Sequence, residues 1–199
     1  MQIFTYIFII TLITAPAPAE QPLEALQRGI DKGISVLEDP QYQDDSDKKE
    51  QARKLWEATQ EIFDFKEFSR RVLASHWKNF TSRQREEFIR LMGDLLGKPN
   101  LRKLQSKYSG EKILYTSQKL ISKTRALVEI KVLWKNLEIP VKLRMKNNHG
   151  IWKVYDVSAL GISAVSNYRA QLNKILQKKS PEEVLEIFRE KIRAIEAEV

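Results

Sequence analysis

Two histidines, no cysteine and a scatter of carboxylates are the groups from which this 199-residue chain could build an active site. His149 falls in the turn NNHG, and His76 adjoins Trp77 near an expected helix end. With no cysteine and no second histidine near either in sequence, they outline no zinc site and no activated nucleophile. Paired carboxylates can hydrolyse glycosides, but Asp44, Asp45 and Asp47 stand in the polar run YQDDSDKKE, without apolar neighbours to raise a pKa. The chain has no GxSxG, phosphate-binding or dinucleotide-binding motif. Asp156 differs, because it stands among Trp152, Tyr155 and Val157 at the end of an apparent strand. A carboxylate there needs a partner, and Arg144 or Arg169 is expected to supply it. The inventory therefore predicts no catalytic residue, no metal and no cofactor.

The elements that carry these residues are read from periodicity. Leu23, Leu26, Ile30, Ile34 and Leu37 recur every three or four residues and make one helix face. Ala52, Leu55, Trp56, Thr59, Ile62 and Phe63 make another. Asp64 with Glu67, Thr81 with Gln84, and Ser180 with Glu183 behind Pro181 have the spacing of capped helix starts. The helix after Thr81 carries Phe88, Leu91, Met92, Leu95 and Leu96 and is predicted to stop at Gly97 and Pro99.

Beyond Gly110 the period falls to two. Val128, Ile130, Val132 and Trp134 alternate with mostly polar neighbours, as do Leu137, Ile139, Val141, Leu143 and Met145. Pro140 lacks an N–H and belongs at an edge or a bulge. With KILYTSQ before this pair and IWKVYDV after it, about four antiparallel strands are expected. Helical spacing then returns from Ile162 and Val165 through Leu176, and again from Val184 to Ile195. The whole reads as a single α+β domain: a twisted antiparallel sheet wrapped by helices. Its apolar faces suit a filled core and a cavity equally well.

Residues 1–19 contain no charge, an apolar run from Ile3 to Ile13, and Ala17 and Ala19 in A-x-A spacing. This predicts a cleavable signal peptide over 1–19 and a functional domain over 20–199 with a flexible tail from about residue 190. All 34 basic and 26 acidic side chains lie beyond that segment, giving a net charge of +8. In an exported protein such charge points to anionic lipid or an acidic partner surface, with Lys131, Lys142, Arg144 and Lys146 on the outer strand face, and away from nucleic acid.

Three segments in order, FDFKEFSRRVLASHWKNFTSRQREEFIRLMGDLL, YSGEKILY and IPVKLRMKNNHGIWKVYDVSALGISAVSNYRAQLNKIL, resemble the MlaC-type, or toluene-tolerance auxiliary, family of periplasmic phospholipid-binding proteins. The resemblance implies a non-enzymatic, monomeric periplasmic carrier of glycerophospholipid. Its implied partners are an inner-membrane ABC transporter with an MCE-domain subunit and an outer-membrane lipoprotein complex. It places the lipid between sheet and helices, with Phe65, Phe68, Val72, Trp77, Val128, Ile130, Val132, Val141, Leu143, Trp152, Val154, Ile162, Val165 and Tyr168 as the expected lining. Asp156, Arg144 and Arg169 would be structural or headgroup polar residues. The chain departs from the family pattern at Leu160, where an acidic residue is common, and at GKPN, where a tyrosine usually follows the Leu-Leu pair. The alternatives are a carrier of another lipid such as a hopanoid, or a periplasmic chaperone or interaction module with a filled core.

Overall fold

A computed structural model describes residues 20–42 and 44–197; the expected signal peptide lies outside them. Helix α1 (Pro22–Glu38) leads through two short 3-10 turns to α2 (Lys48–Ile62), α3 (Phe65–Leu73) and α4 (Ser82–Lys107). Strands β1 (Lys112–Ser122), β2 (Arg125–Trp134), β3 (Leu137–Asn148), β4 (Ile151–Ala159) and β5 (Ile162–Ser163) follow, then α5 (Ala164–Leu176) and α6 (Pro181–Ala197). The five strands form an antiparallel meander in chain order. The fifth is a two-residue strand where helical spacing was expected, so α5 begins at Ala164 rather than at Ile162.

Local chemistry accounts for most boundaries. Thr81 and Gln84 cap α4 reciprocally, the Thr81 amide donating to Gln84 Oε1 at 3.0 Å and the Gln84 amide to Thr81 Oγ1 at 3.2 Å. At α3 only half of the expected box forms. Asp64 accepts from the Glu67 amide at 2.8 Å, while the Glu67 carboxylate turns to Arg70, Arg71 and Lys146. The hairpin turns at His149-Gly150 and Leu160-Gly161 have positive φ at both central residues, the pattern of two-residue loops that match strand twist.

One boundary overturns the sequence reading: α4 runs through Gly97 and Pro99 to Lys107. A proline inside a helix costs about 3 kcal/mol, so tertiary contacts must outweigh it. Gly97 admits the indole of Trp56 from α2. Further along, Gln105 donates to the Lys48 carbonyl at 3.0 Å, and Arg102 to the Ile195 carbonyl at 3.3 Å near the end of α6. Pro140 lies just outside the β3–β4 pairing, which begins at Val141, so its missing N–H interrupts no ladder on that side.

The apolar residues divide into two clusters. One lies among helices α3 to α6 and includes Phe68, Val72, Phe80, Phe88, Met92, Val165, Leu172 and Phe188. The other lies between α1 and the sheet and includes Leu26, Val128, Ile130, Leu143, Met145, Trp152 and Val154. Phe63 touches both, and its neighbour Asp64 is tied to β4 by an amide donated to the Val154 carbonyl at 2.7 Å.

Candidate functional site

The sheet face that packs against α1 does not stay packed along its length. Across three strands, Ile113, Val132 and Ile139 stand in register as one apolar row. Two residues beyond Val132, Trp134 continues the same face. Val128 and Met145, further back on that face, are fully buried. The row itself fronts a cavity of about 580 Å³, within the roughly 300–1,000 Å³ of typical ligand sites.

Three helices complete the wall. α1 gives Gly29, Ile30, Gly33, Ile34 and Leu37, α2 gives Leu55, Ala58, Thr59 and Ile62, and the C-terminal part of α4 gives Leu101 and Leu104. The continuation of α4 past Pro99 is what brings Leu101 and Leu104 to the cavity. No atom lies within 4 Å of where a Cβ at Gly33 would stand, so this glycine leaves room. At the mouth, Leu104 and Trp134 remain 41% and 42% exposed. An exposed rim of large apolar groups leading into an apolar interior offers a path to a hydrophobic chain.

The polar groups around the cavity are few and mostly occupied. Thr59 donates its hydroxyl to the Leu55 carbonyl at 2.8 Å, and Asn100 its amide to the Leu96 carbonyl at 2.6 Å. Tyr108 donates to Glu38 at 2.7 Å. Burial and that neighbouring carboxylate push the Tyr108 phenol up to about 12. The Glu111 carboxyl is held below its ordinary value by hydrogen bonds from the amide and hydroxyl of Ser109. Lys103 and Lys107 also reach the mouth.

The sequence-expected residues fall in several places. Val132 lines the cavity. Val128, Ile130, Leu143, Trp152 and Val154 belong to the packed core between α1 and the sheet, with Val141 against its border. Phe68, Val72 and Val165 lie in the helical core, with Trp77 and Tyr168 packed on it. Phe65 lies with its ring 5.3 Å from Trp56 and 4.7 Å from Phe63, and Ile162 is exposed on β5. The cavity's helical wall was missing from the expected set. Its available signal was the α1 stripe of Ile30, Ile34 and Leu37 together with Gly29 and Gly33, which are four apart on one side of the helix.

Asp156, Arg144 and Arg169 lie outside the cavity lining, and of the two arginines only Arg144 approaches the carboxylate. The carboxylate accepts from Ser163 Oγ at 2.8 Å and from the Val165 amide at 3.0 Å, at the start of α5. Arg144 approaches at 3.8 Å from the next strand, whereas Arg169 donates to the Arg71 carbonyl at 2.8 Å. His76 meets Asn173 at 2.9 Å, outside the cavity, and His149 is an exposed turn residue. The described residues contain no group of three or more histidine, cysteine, aspartate or glutamate side chains suited to a metal ion. No helix among them is long and apolar enough to cross a membrane. The outer strand face is less freely basic than its sequence, since Lys131 pairs with Glu138 at 2.7 Å and Lys142 with Glu129 at 2.8 Å.

Fold and site together define an α+β protein with an apolar cavity walled by an antiparallel sheet on one side and helices on the other. The chain belongs to the MlaC protein family, whose profile matches residues 27–190. It is 26% identical over 182 residues to the intermembrane phospholipid transport system binding protein MlaC of Haemophilus influenzae, covering 86% of this chain and 85% of that one. Its fold is also that of a phospholipid-binding protein from Ralstonia solanacearum solved in complex with a phospholipid. That likeness has a TM-score of 0.75 at 15% identity, over 88% of this chain and 98% of the other.

Proposed function

We propose that this protein is a non-enzymatic phospholipid carrier of the periplasm, shuttling lipid between an outer-membrane lipoprotein complex and an inner-membrane ABC transporter with an MCE-domain subunit. The observation that carries the reading is the cavity of about 580 Å³, whose walls are almost wholly apolar and whose rim exposes Leu104 and Trp134. Family membership and the lipid-bound neighbour support it. The acyl chains would enter between α1, α2, the end of α4 and the row Ile113, Val132 and Ile139, leaving the headgroup at the mouth.

The energetics suit a shuttle. Burying a methylene is worth about 0.8 kcal/mol, so two chains of about fifteen methylenes represent up to roughly 24 kcal/mol against escape into water. Moving the same chains into a bilayer or a partner's apolar channel exchanges like for like. Handover therefore requires docking, and its direction follows the partner that offers the better site.

Mass spectrometry of an organic extract of the purified protein tests the reading. Phospholipid in stoichiometric amount is expected. Folded protein that carries none, and takes none up from vesicles, would overturn it.

A further inference from the structure

The cavity mouth contains a charge pattern that its apolar walls do not require. Among the polar side chains around it, Thr59, Asn100, Tyr108 and Glu111 each have a hydrogen-bond partner within the chain. Lys103 and Lys107 reach the same mouth, and neither ammonium has an ion-pair or hydrogen-bond partner among the described residues. Several other cations of α4 are engaged: Lys98 pairs with Glu196 at 3.0 Å, Arg90 with Asp94 at 3.3 Å, and Arg85 donates to the Trp77 carbonyl at 2.9 Å, while Arg83, likewise without a partner among the described residues, lies outside the cavity lining.

Lys103 and Lys107 are one helical turn apart on one face. A cation in the last turn of a helix offsets its carbonyl ends, which accounts for Lys107. It does not account for Lys103, a turn earlier and beside Leu104. We propose that the two ammonium groups together hold the phosphate of a lipid whose chains occupy the cavity, and that the site favours phospholipids of net negative charge. This rests on the carrier reading above.

The preference follows from the charges at the mouth. Of the two carboxylates near the mouth, Glu38 accepts from the Tyr108 hydroxyl and Glu111 from Ser109, so the lysines are the lining's charged groups left without a partner among the described residues and the ones open to an anionic headgroup. A glycerol headgroup leaves the phosphate's negative charge uncompensated and gains from both lysines. An ethanolamine headgroup brings its own ammonium to the same place, and the gain is partly cancelled. Because both lysines are exposed, the pair is expected to give about a three- to tenfold preference, weakened by salt.

The test is competitive loading. Delipidated protein is incubated at low salt with vesicles of equal phosphatidylglycerol and phosphatidylethanolamine, reisolated, and its lipid quantified by mass spectrometry. The wild type should be enriched about three- to tenfold in phosphatidylglycerol, and the double variant Lys103→Gln/Lys107→Gln should take up as much lipid in a ratio near one. The variant Lys174→Gln/Lys178→Gln, with the same change in net charge on and beside α5, should keep the wild-type ratio. Equal uptake of the two lipids by the wild type, or equal loss of preference in both variants, overturns the proposal and leaves the carrier reading standing. No uptake of either lipid overturns both. Inorganic phosphate titrated into lipid-free protein separates a free-anion site: saturable binding lost in Lys103→Gln/Lys107→Gln, with no lipid preference in the wild type, also overturns the headgroup assignment.

Discussion

The indole of Trp56 lies over the α-carbon of Gly97, so close that a Cβ at position 97 would stand 2.0 Å from the indole Cζ3 and 2.8 Å from Cε3. This contact seats α2 against α4 behind the cavity wall. Leu55, Ala58 and Thr59 project from one helix and Leu101 and Leu104 from the other, so the approach of the two helices fixes part of the cavity's width.

Two opposing effects of Gly97→Ala can be weighed. Alanine favours the helix by about 1 kcal/mol, but an overlap this deep against a rigid ring costs about 1–3 kcal/mol or more once the surroundings shift. Chemical denaturation should show a net loss in the wild-type background. In a Trp56→Leu background the overlap is gone, and the same substitution should be neutral or stabilising. Equal losses in both backgrounds would mean that the indole is not the obstacle.

Val132 and Leu143 share one sheet face but different surroundings, and tryptophan distinguishes them. Val132 fronts the cavity, whereas Leu143 is 7% exposed within the packed core. Val132→Trp should keep its stability within about 1 kcal/mol while lowering bound lipid several-fold, since it fills space. Leu143→Trp should lose about 1–3 kcal/mol by overpacking. Lipid-to-protein ratios and denaturation midpoints measured on both variants would expose a misplaced wall if Val132→Trp kept its lipid.

The α+β class, the strand meander and the capped helix starts were legible because each depends on local chemistry: period-two alternation from Val128 to Met145, and side chains such as Thr81 that bond within one turn. The location of the cavity was not. Period tells which face of a strand is apolar, and Val128 and Val132 are identical by that test; only the arrangement of α1, α2 and α4 makes one a packed residue and the other a wall. The run past Gly97 and Pro99 was hidden for the same reason. The local cost of proline is visible in sequence, while the contacts that outweigh it come from Trp56 and from Ile195 near the opposite end of the chain.

Leu160 carries a local strain, so a short polar residue would suit its position better than leucine does. It has φ of +52° before Gly161 at +82°, in a two-residue turn between β4 and β5, and its side chain is 73% exposed. Left-handed backbone costs a branched apolar residue about 1–2 kcal/mol, and asparagine or aspartate tolerates it better. Leu160→Asn should therefore raise stability by about 0.5–1 kcal/mol, with the lipid content unchanged. A loss of stability would show that the leucine makes a contact worth more than the strain.

Glu67 couples the fold to acid. Its carboxylate is 5% exposed and lies 2.9 Å from Arg70, 2.8 Å from Arg71 and 3.2 Å from Lys146, joining α3 to β3. Burial alone would raise its pKa, but the hydrogen bonds and charges of these cations outweigh burial and hold it down to about 2, from an ordinary 4.5. A carboxyl whose folded value is depressed stabilises the fold above its unfolded value and loses that contribution as pH falls through the folded one. The gain is thus full above about pH 4.5 and fades towards pH 2; with Arg70 half-exposed, it amounts to about 2–3 kcal/mol. Glu67→Gln removes the titration, so the stability gap between wild type and variant should be widest near about pH 6 and shrink steadily below about pH 4. A gap that stays constant across that window would show that Glu67 contributes through packing and neutral hydrogen bonds rather than through its charge.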